Sequence, residues 1–163
     1  TPGVLANAGS MGHGLPIACG IALAKKLKKE EGKVFCIMSD GEMNEGTTWE
    51  SVAFAAHHKL DNLVVIIDEN GWQAMGKTEE ILNTNLFEVF NSFDFFPFNL
   101  DGHNYFELEH FITTTQRRES PVALICETIK GKGVSFMEDK LEWHYRHVDD
   151  ESYLKAKQEL ENA

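Results

Sequence analysis

The chain is poor in cysteine, in proline and in positive charge. Among its 163 residues are three cysteines and four prolines. Cys19, Cys36 and Cys126 each sit among apolar neighbours and form no CxxC pair. That pattern excludes a disulfide scaffold and a thiolate zinc site, and buried, reduced thiols suit a cytoplasmic protein. Fifteen Lys and Arg stand against 26 Asp and Glu, a formal net charge of −11. Such a field repels nucleic-acid phosphates and anionic membranes, which excludes both as partners. A phosphorylated ligand would therefore need a metal or main-chain amides rather than a basic cleft. No apolar run approaches the roughly 20 residues that span a bilayer, and no signal-peptide pattern opens the chain. The opening "TPGV" lacks a Met and suggests a trimmed or partial polypeptide.

Several familiar motifs are missing as well. No Gly-Lys-Ser/Thr follows a Gly-rich turn, so there is no Walker loop. "GSMGHG" places Gly9, Gly12 and Gly14 in the reverse of the G-x-G-x-x-G spacing, and no strand leads into it. His57 and His58 are adjacent, so on a helix they point about 100° apart. His144 and His147 have no Cys partners, and histidines that pack or face solvent are the favoured reading.

What is present has the size of one domain, without repeats or linkers. Three runs read as strands buried on both faces: "KVFCIMS" (33–39), "NLVVIID" (62–68) and "PVALICETI" (121–129). "FDFFPFNL" (93–100) reads as a further strand, placed at an edge because Pro97 cannot donate to a ladder. Helix-like stretches alternate with these runs. The first carries apolar residues at Ile17, Ile21, Ala24 and Leu27, with Gly32 as its C-terminal cap. The next takes Thr47 or Thr48 as N-cap, with Glu50 in its first turn. Residues 104–118 offer an apolar face of Leu108, Phe111 and Ile112, and residues 150–163 form an amphipathic closing helix. The fold expected is α/β: a parallel sheet flanked by helices on both faces, with ligands beyond the carboxyl ends of its strands.

"SDGEMNEGTTWE" (39–50) sits at such an end. Asp40, Glu42 and Asn44 match positions 1, 3 and 5 of a calcium loop. The Gly and Glu that such a loop needs at positions 6 and 12 are here Glu45 and Ser51, and a strand rather than a helix precedes it. An EF-hand is excluded. Asn70 ends the following strand, and parallel neighbours lie about 4.8 Å apart. Asp40 and Asn70 would then offer a hard cation one carboxylate and one amide oxygen, with a main-chain carbonyl and a phosphate completing the shell. Gly41 would let the main chain approach a diphosphate, and amides at the next helix's start would donate to it. A magnesium ion would supply the positive charge the chain lacks. Asp-Gly and Asn-Gly are also common turn dipeptides, and either loop alone reads as a turn; only the two together, at successive strand ends, bring a metal-diphosphate site level with that reading.

Five ordered segments resemble the thiamine-diphosphate-binding domain of transketolases, above all the split kind made as separate subunits. They are "TPGVLANAGSMGHG", "SDGEMNEGTTWE", "AAHHKLDNLVVIIDENGWQAMG", "LDGHN" and "ETIKGKGVSFMED…EWH". The resemblance implies thiamine diphosphate and Mg²⁺ as cofactors and transfer of a two-carbon ketol unit between sugars. It implies Asp40 and Asn70 as side-chain metal ligands and Trp72 as a ligand through its carbonyl. Gly41 and Glu42 would meet the diphosphate through main-chain groups. Gly9, Ser10 and Met11 would line the aminopyrimidine side, and Ala74 the thiazolium side. His144 and Glu45 are the implied catalytic residues; Glu45, with Glu50, falls where the family places acidic groups at a dimer interface.

The expected partners are a sugar phosphate and a pyrimidine-binding domain or C-terminal subunit, within a homodimer or heterotetramer. The chain would be a single diphosphate-binding domain lacking its upstream part. The residues depart from the family pattern at Ser39 (usually Gly), Glu69 (often Asn), Met75 (often Asp) and "WHYRH" (usually Trp-His-Gly). Ser39, Met75 and "WHYRH" keep open a degenerate assembly domain, and a related thiamine-dependent synthase with another acceptor is the second alternative.

Overall fold

The computed structural model of the protein describes residues 2–114 and 119–162. In chain order its first elements are helix α1 (Gly14–Lys28), strand β1 (Val34–Ser39), helix α2 (Gly46–His57) and strand β2 (Leu63–Glu69). A small hairpin follows, β3 (Trp72–Gln73) and β4 (Gly76–Lys77), then short helices α3 (Thr78–Leu82) and α4 (Leu86–Ser92). Strand β5 (Phe96–Asp101), helix α5 (Tyr105–Thr114), strand β6 (Val122–Glu127) and helix α6 (Asp150–Glu161) complete it. Two 3-10 turns, Gly41–Asn44 and Leu141–His144, carry site residues.

The β-branched runs form a four-stranded parallel sheet in the order β1-β2-β6-β5. Pro97 does lie on an edge strand, which pairs through β6 alone. One face of the sheet packs against α1, α2 and α4, with Leu15, Val52, Leu63, Ile67, Phe90 and Ile125 in that core. The other face is covered by α5, whose Leu108, Phe111 and Ile112 pack on Val64, Leu100, Val122 and Leu124. Helices therefore flank both faces, as the alternation of apolar runs predicts.

Four local expectations differ from the structure. β1 is not buried on both faces: Phe35 and Ile37 are 44% and 76% exposed, because α5 reaches only the β2, β6 and β5 part of that face. α1 buries Leu15, Ala18, Cys19 and Ala22 against the sheet, whereas Ile17 and Leu27 of the expected stripe lie exposed. This helix is apolar on two sides, and periodicity alone does not select between them. It ends at Lys29 in the left-handed region (φ 58°), before Gly32, with Glu30 N bonded to Lys25 O at 2.9 Å. α2 is capped by Glu45 rather than by a threonine, because the 3-10 turn feeds straight into the helix. Thr48 is buried within it, and its hydroxyl donates to Glu42 O at 3.1 Å. Residues 115–118 of the expected α5 span, and Ala163, lie outside the described residues.

The three cysteines are free and buried, and burial pushes the Cys19 thiol up to about 12. They are inert packing groups. Among the described residues no helix is long and apolar enough to cross a membrane.

Candidate functional site

β1 and β2 run in register from Val34 opposite Leu63 to Ser39 opposite Asp68. Their carboxyl ends therefore release the 40–45 and 70–78 loops side by side. Asp40 is 3% exposed, and each carboxylate oxygen has main-chain donors. Oδ1 accepts from Gly41 N at 2.8 Å. Oδ2 accepts from Gly71 N at 2.8 Å and from the Thr78 hydroxyl at 3.0 Å. Burial raises the Asp40 pKa above the usual carboxylate value, and the nearby Asp68 charge adds to this; the hydrogen bonds from Thr78, Gly41 and Gly71 oppose it. Among the described residues no cationic side chain pairs with Asp40. A buried carboxylate without a cation is costly, and a hard metal ion would offset that cost.

The second loop meets Asp40 through the Gly71 amide, with Asn70 and Trp72 on either side of that contact. Asn70 Oδ1 accepts from Trp72 N at 2.9 Å, an Asx turn that directs the chain into the hairpin. Gly71 has φ 75°, a left-handed conformation that glycine adopts without cost. The loops also meet through Asn44 Nδ2, which donates to Gln73 Oε1 at 2.9 Å. A Cβ on Gly41 would stand 2.8 Å from Gln73 Cβ, so only glycine allows this approach. A cavity of about 340 Å³ opens beside the loops, lined by Asp40, Asn44, Glu69, Gly71, Lys77 and Thr78 among others. Burial, with Glu127 and Asp40 nearby, raises the Glu69 pKa.

Ser39 fits the strand end without distortion. Its hydroxyl accepts from Glu42 N at 3.2 Å and so braces the start of the 3-10 turn, whose N-cap is Asp40. The amides of Gly41 and Glu42, the two residues expected to meet a diphosphate through main-chain groups, are satisfied by Asp40 and Ser39. The Glu42 carboxylate instead reaches the 9–14 loop, where Oε1 accepts from Gly12 N at 2.7 Å. That contact holds the 9–14 loop against the 3-10 turn, and Gly9, Ser10 and Met11 are exposed on it. Glu45 and Glu50 are exposed, and the Glu45 side chain makes no capping bond.

His144 closes the 3-10 turn Leu141–His144, which rests on the hairpin. Trp72 Nε1 donates to Asp139 Oδ1 at 2.6 Å, Lys77 Nζ lies 3.9 Å from Asp139 Oδ2, and the Tyr145 hydroxyl donates to Ala74 O at 3.1 Å. These contacts bring Ala74, Trp72 and His144 into one assembly. Met75 is 79% exposed at the hairpin, and His147 is exposed. His57 and His58 are exposed on α2 with their rings 5.0 Å apart, as expected of solvated histidines. His103, within "LDGHN", acts locally, since its Nε2 accepts from Ile129 N at 2.8 Å and fastens the chain after β6.

Sequence reasoning did not find Thr78, Gln73 or Tyr145 as site residues. Their contacts cross 38, 29 and 71 positions of chain, and no short motif encodes them.

Comparison with known proteins identifies the family and the fold. The family described as transketolase, thiamine diphosphate binding domain, matches residues 1–162. An apulose-4-phosphate transketolase subunit from Actinobacillus succinogenes is 36% identical over 163 residues, covering 99% of this chain and 59% of the relative. Its counterpart of the same description from Phocaeicola vulgatus is 37% identical over 164 residues, covering 98% of this chain and 57% of its own length. The chain thus spans under two thirds of the length of these relatives. Among solved structures, transketolase from Campylobacter jejuni superposes with a TM-score of 0.89 at 27% identity, covering 94% of this chain and 26% of that one.

Proposed function

The chain belongs to the transketolase thiamine diphosphate-binding domain family, and on that premise we propose that it is the diphosphate-binding component of a two-part transketolase. In this reading it works with a pyrimidine-binding domain or C-terminal subunit, in a dimeric or heterotetrameric cytoplasmic enzyme, on sugar phosphates. The observation that carries the reading is the junction of Asp40 with the 70–78 loop, where Gly71 N bonds Asp40 Oδ2 at 2.8 Å. It unites at one point the two strand-end loops that a metal-diphosphate site requires.

The donor set suits Mg²⁺: the Asp40 carboxylate, the Asn70 amide oxygen and the Trp72 carbonyl are all hard oxygens. Among the described residues no group of three or more His, Cys, Asp or Glu is placed to hold a metal. One carboxylate plus neutral oxygens leaves net positive charge on the ion, which is what a diphosphate needs. When bound, thiamine diphosphate supplies the electron sink for breaking and making the C–C bond of the transferred two-carbon unit.

The chain's own residues hold and orient. Gly41 and Glu42 would border the diphosphate along their main chain, with their amides held by Asp40 and Ser39; Gly9, Ser10 and Met11 border the aminopyrimidine side, and Ala74 the thiazolium side. His144, exposed on its turn, polarises the substrate or moves a proton beside it. Glu45 and Glu50 face the partner subunit. Ser39 supports an intact cofactor loop rather than a degenerate one, since its hydroxyl completes the turn.

The test is a ketol-transfer assay. With thiamine diphosphate and Mg²⁺, the complete polypeptide and its pyrimidine-binding partner together should turn over a ketose phosphate and an aldose acceptor. The 163-residue chain alone should not. Full rates from the chain alone, or none from the assembled pair, would refute the reading.

A further inference from the structure

"WHYRH" places a tyrosine immediately after His144, and the structure gives that tyrosine a role. Trp143 ties the turn to its own loop: Nε1 donates to Phe136 O at 2.8 Å, the Phe136 ring lies edge-on at 5.2 Å, and the Arg146 guanidinium sits 5.0 Å over the indole. None of these contacts reaches the cofactor loops. Two side-chain hydrogen bonds cross from the 139–145 segment to the hairpin among the described residues. Asp139 accepts from Trp72 Nε1, and the Tyr145 hydroxyl donates to Ala74 O. Asp139 lies five positions before His144. Tyr145 is its neighbour, and the two rings meet at 4.8 Å with an interplanar angle of 71°.

We propose that Tyr145 is a positioning residue for His144: its ring edge sets the imidazole's orientation, and its hydroxyl fixes that pair to the Ala74 carbonyl. The inference rests on the reading of His144 and Ala74 given above. A tyrosine serves here because both ends of its side chain are used. The ring meets the imidazole, and the hydroxyl spans to a main-chain carbonyl 71 positions away in sequence. Tyr145 is 67% exposed, so the residue contributes little to the core, and its replacement leaves folding intact. A residue without a side chain at this position would leave the imidazole free to rotate above the hairpin.

The experiment compares Tyr145→Phe and Tyr145→Ala with the parent in the complete enzyme, assembled with its partner. Tyr145→Phe keeps the ring and loses the anchor. It should lower kcat by roughly threefold to tenfold while KM for thiamine diphosphate stays within about twofold, because a positioning contact acts on the chemical step. Tyr145→Ala should lower kcat further. With histidines carrying ¹³C, the His144 Cε1–H resonance should shift in Tyr145→Ala, where the ring current is removed, and broaden in Tyr145→Phe, with unchanged thermal midpoints in both. Parent-like kcat and an unmoved His144 resonance in both variants would overturn the proposal. Failure of the parent itself to bind the cofactor or transfer a ketol unit would overturn the underlying reading instead, so the two failures are distinguishable.

Discussion

The hydroxyl of Thr78 donates to Asp40 Oδ2 at 3.0 Å, on the same oxygen that accepts from Gly71 N. Thr78 N in turn donates to Gly71 O at 2.9 Å, so one residue braces both the carboxylate and the loop beside it. Groups that orient a metal ligand typically change metal affinity by about 10- to 100-fold when removed. Thr78→Val, which keeps the shape and deletes the hydroxyl, should weaken Mg²⁺-supported cofactor binding by about tenfold, and Thr78→Ser should retain it. Calorimetry on both variants checks this; equal affinity for valine and serine would contradict it.

Gly41→Ala should push the two site loops apart, since the new Cβ would stand 2.8 Å from Gln73 Cβ. Overpacking of this kind costs about 1–3 kcal/mol. Adding Gln73→Gly should restore part of the loss, so the double variant should be more stable than the sum of the single effects allows. Additive losses in chemical denaturation would show that the two residues do not collide.

Glu69 predicts a pH-dependent stability. Burial, then the charges of Glu127 and Asp40, raise its folded pKa above the ordinary 4.5. Folding therefore favours the protonated form. The stability it contributes is fully present below the unfolded value and is lost as pH rises through the folded one. Glu69→Gln should melt at a higher temperature than the parent at neutral pH without added metal. The difference should shrink towards zero as the pH is lowered below about 4. A pH-independent difference, or a lower melting temperature at neutral pH, would contradict this.

Ser39 separates turn stability from cofactor binding. Ser39→Ala removes the acceptor for Glu42 N and should cost about 0.5–1.5 kcal/mol, the worth of one hydrogen bond, and Ser39→Gly, which loses the same acceptor at a strand end, should cost at least as much. Cofactor affinity should stay within about threefold of the parent in both, since the loss is local to the turn. Thermal melts and titrations of the two variants supply both readouts.

The sheet was legible because β-branched runs such as "NLVVIID" become strands covered on both faces, and Pro97 correctly marked an edge. The face that α1 turns to the sheet was not, because Ile17 and Ile21 compete with Leu15, Ala18 and Cys19 on a helix apolar on two sides. The stretch 72–92 also escaped sequence reading. Its hairpin strands and helices are two to seven residues long, too short for a period to show. The junction of Asp40 with the Asn70 loop followed from two adjacent strand ends. Thr78 and Tyr145 enter the site only through tertiary contacts that folding creates.

Calorimetric titration of the complete polypeptide and its pyrimidine-binding partner with thiamine diphosphate tests most directly whether Asp40, Asn70 and Trp72 hold Mg²⁺ on the diphosphate. Saturable binding that disappears on chelation, and that weakens by at least about tenfold in both Asp40→Ala and Asn70→Ala, is the predicted result. Binding that is indifferent to Mg²⁺, or that survives undiminished in Asp40→Ala, would contradict it.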